Sequence, residues 1–187
     1  MNPDPLQPTL WRTCRVLAND TRLQIFAQLV RKQPQSVSQL AGLAALTLPV
    51  ASQSLRALES RGLLKVRRIR LRVEYHVPSA TEAGSLADLV AVLNHSLRRE
   101  PLPTAQIIKL ATAFTHPSRI RIFRALVSGP KTQVQIQAVT SISAPALSRH
   151  LNKLIARGFI VCDDLGRCIA GEHLHAIGRA LAALART

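Results

Sequence analysis

SAPALSRHLNKLIARGF, Ser143 to Phe159, holds a helix start, an apolar stripe and a cationic outer face within one short run. Ser143 stands where a hydroxyl caps the free amides of a first turn. Pro145 is tolerated there because its missing N–H has no intrahelical partner. Gly158 closes the helix. At about 100° per residue, Leu147, Leu151, Leu154 and Ile155 fall on one side, while Arg149, Asn152 and Lys153 point to the other. An ordinary solvated surface helix has the same pattern, so this stretch alone does not decide its use.

A copy of the stretch decides more. From Thr47 to Leu63 the chain reads TLPVASQSLRALESRGL, repeating the capping hydroxyl, Pro49, Ser52, Leu55, Leu58 and the closing Arg61-Gly62. Each copy has its own upstream helix: LANDTRLQIFAQLV from Leu17 matches FTHPSRIRIFRALV from Phe114. Arg22 pairs with Arg119, Ile25 with Ile122 and Phe26 with Phe123, so the chain is a tandem repeat of one small domain. At 187 residues it divides into two units of about 90, for which two small cores are expected. The domains implied are residues 1–100 and 101–187.

Composition points to the partner. With 25 Lys+Arg against 10 Asp+Glu, a formal charge of +15 favours a polyanion. Nucleic acid leads. An anionic membrane surface is the competitor, but the cations lie in periodic segments rather than in one basic tail. The start, MNPDPLQPTLW, lacks the basic and apolar regions of a secretory signal, and the expected location is the cytoplasm. Cys14, Cys162 and Cys168 match no zinc-finger spacing, so reduced thiols are the default expectation. Catalysis is not expected: the carboxylates converge on no nucleophile or metal motif, and no Gly-rich phosphate loop is present. No cofactor is implied.

The order of elements follows from caps and periods. Residues 1–8 are Pro-rich and expected to be loose. Leu10 to Leu17 reads as a helix, Asn19-Asp20 caps a second reaching about Arg31, and Gln33-Pro34-Gln35 breaks it. Ser36 caps a short third helix carrying Val37, Leu40 and Leu43, and Thr47 to Arg61 forms the fourth. In LLKVRRIRLRVEYHV, from Leu63, the period changes to two, predicting a hairpin that turns near Ile69-Arg70. Lys65, Arg67, Arg68, Arg70 and Arg72 make this ribbon basic, suited to a phosphate backbone. The other reading is a soluble edge protected by arginine. A helix over Thr81 to Leu97 follows, with Leu86, Leu89, Val90 and Leu93 on one face.

RREPLPT, from Arg98, is the linker, and the cycle restarts. Helices are predicted over Ala105 to Phe114 and from Thr115-His116-Pro117 to Val127. A short helix from Thr132 presents Val134, Ile136 and Val139. After Phe159 comes a hairpin turning through Asp163, Asp164 and Gly166, then a last helix, Ala170 to Ala185, apolar through Leu174, Ile177, Leu181 and Leu184. The fold class is therefore mainly α with small β-hairpin wings: two winged helix-turn-helix domains in tandem.

Several of these pieces resemble the ArsR (arsenic-repressor-like) family of bacterial transcription factors. LANDTRLQIF and FTHPSRIRIF resemble that family's second helix, and ALSRHLNKLIARGFI its recognition helix and the first wing strand. The family works as a homodimer whose first and last helices form the dimer core. The resemblance therefore implies an intrachain pseudo-dimer, with a homodimer as the alternative. The apolar stripes at Leu86, Leu89, Val90 and Leu93 and at Leu174, Ile177 and Leu181 give that implication a physical basis. Otherwise each stripe completes its own domain or joins a second chain.

The expected function is a DNA-binding transcriptional regulator, a repressor by occlusion, with double-stranded DNA as partner and no membrane. Two recognition helices would enter successive major grooves about 34 Å apart. Gln53 and Arg56 lie on the outer face of the first, and Arg149, Asn152 and Lys153 on that of the second, so an imperfect palindrome is expected. Arginine suits guanine edges, and Gln53 and Asn152 suit adenine. Ser52, Ser148 and the wing cations Lys65, Arg67, Arg68 and Arg70 would hold phosphates, with His150 a packed ring on the flank. The departures from the family are Arg70, where a turn glycine is usual, and the acidic second wing.

Many family members sense a metal through a Cys pair on the helix before the recognition helix. SQLAGL and VQIQAV hold no Cys or His there, and Asp88 with His95, or Glu172, His173 and His175, are faint echoes of the family's other site, so no metal is expected. Cys162 and Cys168, symmetric about Leu165, would face one another across the hairpin. They are either buried inert thiols or a redox switch. The alternative of a different class is a winged-helix protein assembly module without sequence-specific DNA binding.

Overall fold

The computed structural model describes residues 9–70, 72–98 and 103–187. The Pro-rich start and residues 99–102, on which the linker and the expected domain boundary fall, lie outside the described residues. In the first half Asn19 sets the first turn: its Oδ1 accepts from the Arg22 amide at 3.0 Å, separating α1 (Leu10–Leu17) from α2 (Asp20–Arg31). A short β1 (Gln35–Ser36) leads into α3 (Val37–Leu43), where Ser36 and Gln39 exchange side-chain and backbone hydrogen bonds in a capping box. The helix α4 (Leu48–Glu59) and the strands β2 (Lys65–Ile69) and β3 (Arg72–His76) complete the unit. Then come α5 (Ala80–Ala83), a 3-10 turn and α6 (Ala87–Arg98).

The second half repeats this order. It comprises α7 (Thr104–Ala111), a 3-10 turn over Thr112–Phe114, α8 (Pro117–Val127), β4 (Lys131–Thr132) and α9 (Gln133–Thr140). There follow α10 (Ala144–Ile155), β5 (Ile160–Cys162), β6 (Arg167–Ala170) and α11 (Ala176–Arg186). His116 caps α8 as Asn19 caps α2, its Nδ1 accepting from the Ser118 amide at 3.1 Å. Thr132 and Gln135 repeat the capping box.

Several expectations are corrected. The wings are three-stranded, in the orders β1-β3-β2 and β4-β6-β5, because two residues before each short helix pair with the hairpin. Thr47 and Ser143 precede α4 and α10 in extended conformation, but their hydroxyls make no cap bond. Pro49 and Pro145, second in each helix, have removed one of the amides such a hydroxyl would bind. The helix expected over Thr81 to Leu97 is interrupted at Gly84, whose φ of 54° lies in the left-handed region, so it becomes α5, a 3-10 turn and α6. The last helix begins at Ala176 rather than Ala170, because β6 uses the backbone through Ala170 for the sheet. Leu174 therefore leaves the predicted stripe and is 90% exposed. On α9 the buried face runs through Ile136 and Thr140, four residues apart, leaving Val134 behind it at 76% exposed and Val139 at its edge. Leu43 and Ile155 likewise sit at the margins of their stripes and are exposed.

Two separate cores were expected, but the buried side chains form one continuous cluster spanning both halves. Leu23, Phe26, Leu55 and Leu58 anchor one end. Phe114, Phe123 and Phe159 anchor the other, with Phe114 edge-on to its two partners at 5.3 and 4.7 Å between ring centres. Between them α6 lies against α11, and α1 lies against α7 and its 3-10 turn. Leu89, Val90 and Leu93 on α6 and Ile177 and Leu181 on α11 are buried, each worth about 1.5–3 kcal/mol relative to exposure. This central layer joins the two winged helix-turn-helix units within one chain.

Arginine-to-carbonyl bonds tie the outer helices to it. Arg98 Nε donates to the Val30 carbonyl at 2.6 Å in the first half, and Arg124 Nε to the Ala185 carbonyl at 2.8 Å in the second. Cys14, on α1, is fully buried, and burial pushes its thiol well up despite the Arg119 guanidinium of the other half. It stays a protonated core residue.

Candidate nucleic-acid interface

The recognition helices are seated by their apolar stripes and leave their polar faces open. Leu55 and Leu58 hold α4; Leu147, Leu151 and Leu154 hold α10. Gln53, Arg56, Arg149 and Asn152 are exposed, and Lys153 is half-buried. Gln53 and Arg149 occupy matching positions in the repeat, as do Arg56 and Asn152. The paired serines have different partners. Ser52 Oγ accepts from Arg56 Nη2 at 3.0 Å within α4, while Ser148 Oγ accepts from Gln133 Nε2 at 2.6 Å, tying α10 to α9. Val37 stands where the second half has Gln133, so Ser52 has no equivalent donor.

The first wing concentrates charge. Lys65, Arg67, Arg68, Arg70 and Arg72 are all exposed, and none forms a salt bridge among the described residues. The register, Lys65 opposite His76 and Arg67 opposite Glu74, puts Lys65 and Arg67 on one face of the ribbon and Arg68 on the other. Arg70 holds the turn at a φ of 53°, a left-handed conformation that costs a side-chain-bearing residue about 1–2 kcal/mol.

The second wing is built differently. Asp163 Oδ1 accepts from the amides of Leu165 and Arg167 at 3.1 and 2.8 Å, and its Oδ2 from Arg167 Nε at 2.8 Å. These bonds, the Arg167 amide first, hold the carboxyl below its ordinary range. Cys162 and Cys168 are direct cross-strand partners, joined as a disulfide with Cα atoms 4.0 Å apart, which corrects the expectation of reduced thiols for this pair.

A basic recess beside α10 was not read from the sequence. It is lined by His116, Ser118, Arg119 and Arg121 from α8 and its cap, and by Arg149, His150 and Lys153 from α10. The His116 and His150 rings pack against one another, tilted by 33°, with centres 4.7 Å apart. Burial, then neighbouring arginines, pulls His116 below the ordinary histidine value; burial, then His116, Arg119 and Arg149, does the same to His150. Lys153 is also lowered, by burial first and then Arg157 and Arg119. Arg119 is spent on structure, donating to the carbonyls of Ala113 and Thr112 at 2.6 and 3.2 Å. Among the described residues Arg121 makes one side-chain bond, to Ser118 Oγ at 3.3 Å. The repeat alignment was the available signal: Arg121 and His150 stand where the first half has Gln24 and Ser54.

Among the described residues no three His, Cys, Asp or Glu side chains group as metal ligands, and no helix is long and apolar enough to cross a membrane. His173, one of the faint metal echoes, is a packing residue. Its Nε2–H donates to the Arg157 carbonyl at 3.0 Å, its Nδ1 accepts from the His175 amide at 3.1 Å, and its ring packs against Phe159. Gly178 makes room for it, since a Cβ there would meet the ring at 2.2 Å.

Two helices that each expose an arginine, each seated behind a three-helix scaffold and followed by a wing, define a tandem winged helix-turn-helix protein, the fold of DNA-binding regulators and not of enzymes. The profile of the helix-turn-helix domain family matches residues 17–67 and 114–163, more than half of the chain, and the chain belongs to that family. Among solved structures it is similar to a homodimeric winged helix-turn-helix DNA-binding domain from Mycobacterium bovis, described as a possible ArsR-family transcriptional regulator. The two are 34% identical over 46% of this chain and 77% of that one, with a TM-score of 0.37. No curated protein matches the chain.

Proposed function

We propose that the chain is a transcriptional repressor that binds one imperfect palindrome as a single molecule, its two halves, residues 1–100 and 101–187, serving in place of two subunits. The observation that carries this reading is the pairing of a shared core with unlike outer faces. The halves are joined through α6 and α11, while Gln53 and Arg56 face outward from one recognition helix and Arg149, Asn152 and Lys153 from the other. Arginine to guanine and Asn or Gln to adenine then give two different half-sites. The first wing, through Lys65, Arg67, Arg68 and Arg70, and the serines Ser52 and Ser148 hold phosphate. Binding over a promoter excludes polymerase, and the protein acts in the cytoplasm.

Fluorescence-anisotropy titration against the DNA upstream of its own gene and an unrelated duplex of equal length, at two salt concentrations, tests this. A preference of about a thousandfold at the higher salt supports sequence reading. Equal binding that only falls with salt means the charge acts nonspecifically. Sedimentation of the complex distinguishes one chain per duplex from two. Charge reversal at Arg56 and Arg149 separates this function from a protein assembly module, which would keep its partner.

The cross-strand pairing of Cys162 and Cys168 favours a second reading, a redox-responsive regulator. A peroxide would accept two electrons and two protons from the thiols, closing the second wing covalently. Unchanged oxidant-dependent DNA release in Cys162→Ser would remove that reading.

A further inference from the structure

The first turn of α4 is more apolar than an exposed helix start should be. Leu48 is 54% exposed and Val50 41% exposed. Leu48 and Pro49, with Val37 from α3, line a shallow groove of about 640 Å³ that Ser52, Gln53 and Arg56 also line, and Val50 is exposed beside it on the same first turn. At the matching positions the second half has Ala144, Ala146 and Gln133, and Gln133 is bonded to Ser148. The large aliphatic side chains at the helix start are a property of one half only.

We propose that Leu48 and Val50, at the start of α4, read the C5-methyl groups of thymine in one half-site, a selectivity that α10 lacks. The inference rests on the DNA-binding reading above and adds a base-selective contact to it. Three features commit the groove to DNA. Its lining is also polar and cationic, through Gln53 and Arg56. The same half carries the exposed cations of the first wing, complementary to a polyanion. The first turn of a recognition helix is also the part that meets base edges. The apolar group that the major groove displays there is the thymine methyl. An exposed leucine and valine at that position gain only when such a methyl covers them, since water otherwise hydrates both surfaces.

The test starts with the full-length protein and a random duplex pool, selecting bound sequences over several rounds. Each thymine of the selected duplex is then replaced by deoxyuridine, which removes the methyl and keeps the base-pairing and groove hydrogen bonds. One or two positions in a single half-site are expected to lose about three- to fivefold in affinity, the size of one buried methyl, and the other half-site to lose less than about twofold. Leu48→Ala and Val50→Ala, both at exposed positions, should bind the thymine and uracil duplexes alike. Ala144→Leu should create methyl sensitivity in the second half-site. Unchanged affinity at every uracil, or a methyl effect that survives both alanine variants, overturns this inference and leaves the regulator standing. A pool that yields no preferred sequence overturns the DNA-reading function itself, and this inference with it.

Discussion

The two halves of the molecule carry similar scaffolds and put their charge in different places. In the first, exposed cations line the wing, and the recognition helix opens with Leu48 and Val50. In the second, they gather on α10 and beside it, at Arg121, Arg149 and Lys153, while the wing holds Asp163 bonded to Arg167 and a disulfide. A ribbon of cations follows a phosphate backbone and contributes affinity that salt removes. Cations on a helix in the groove contribute discrimination between bases. On the proposed DNA, the first half supplies most of the grip and the second most of the hydrogen-bonded reading. An internal repeat thus preserves packing while its surfaces diverge, because the stripes that seat each helix are separate residues from those it exposes.

The largest expected effect concerns whether the halves are separate bodies at all. Leu93→Ala, in the layer between α6 and α11, should cost about 2–5 kcal/mol and shift a single cooperative unfolding transition. Calorimetry that resolves two transitions, only one of them moved, would mean that each half folds alone. Next come the reading residues. Arg56→Ala and Arg149→Ala should each cost about 1–3 kcal/mol in binding and relax base preference in different half-sites. Losses in the same half-site would break the pairing of helices with sites. Replacing Lys65, Arg67, Arg68 and Arg70 together with alanine should weaken specific and unrelated duplexes alike and reduce the salt slope by about 3–4. A large change in sequence preference would contradict a phosphate-holding wing.

Smaller effects sharpen the contrast. Arg70→Gly should raise stability by about 1 kcal/mol in denaturant titration, because glycine takes the left-handed turn without strain, and should lower the salt slope by about 1. The smallest is a pH effect in the second half alone. His116 and His150 are held below the ordinary histidine value, burial first, so both are uncharged at neutral pH. Acidification through and below that value charges them beside Arg149, and DNA affinity should rise by about two- to threefold as pH falls. The free protein responds in the opposite sense: the stability from keeping these rings neutral is present above the unfolded histidine value and is lost as pH falls from there through the lower folded value. Titrations of His116→Gln with His150→Gln should lose the rise in affinity.

Much of this fold was readable in the sequence. Asn19, Ser36 and Thr132 act on amides within three residues of themselves, so α2, α3 and α9 begin where their caps stand. The period-two run after Leu63 became β2 and β3, and the outward faces of α4 and α10 carry the residues expected there. Periodicity overreached at Leu174, where the spacing is helical but the neighbouring backbone belongs to a strand, and at Val134, on the far side of α9. The basic recess was missed because His116 and Arg121 precede α10 by more than twenty residues and meet it only across the fold.

The repeat, the type and order of the main helices and hairpins, and the identities of the outward cations came from the amino-acid sequence, because capping, turn chemistry and amphipathic spacing act over a turn or two of chain. Folding in three dimensions set the rest. It paired Gln35 with Tyr75 and Lys131 with Cys168, merged two expected cores into one, tied Ser148 to Gln133, and packed His116 against His150. Each of these joins groups distant in the chain, whose meeting depends on how whole helices pack, and no local period encodes that.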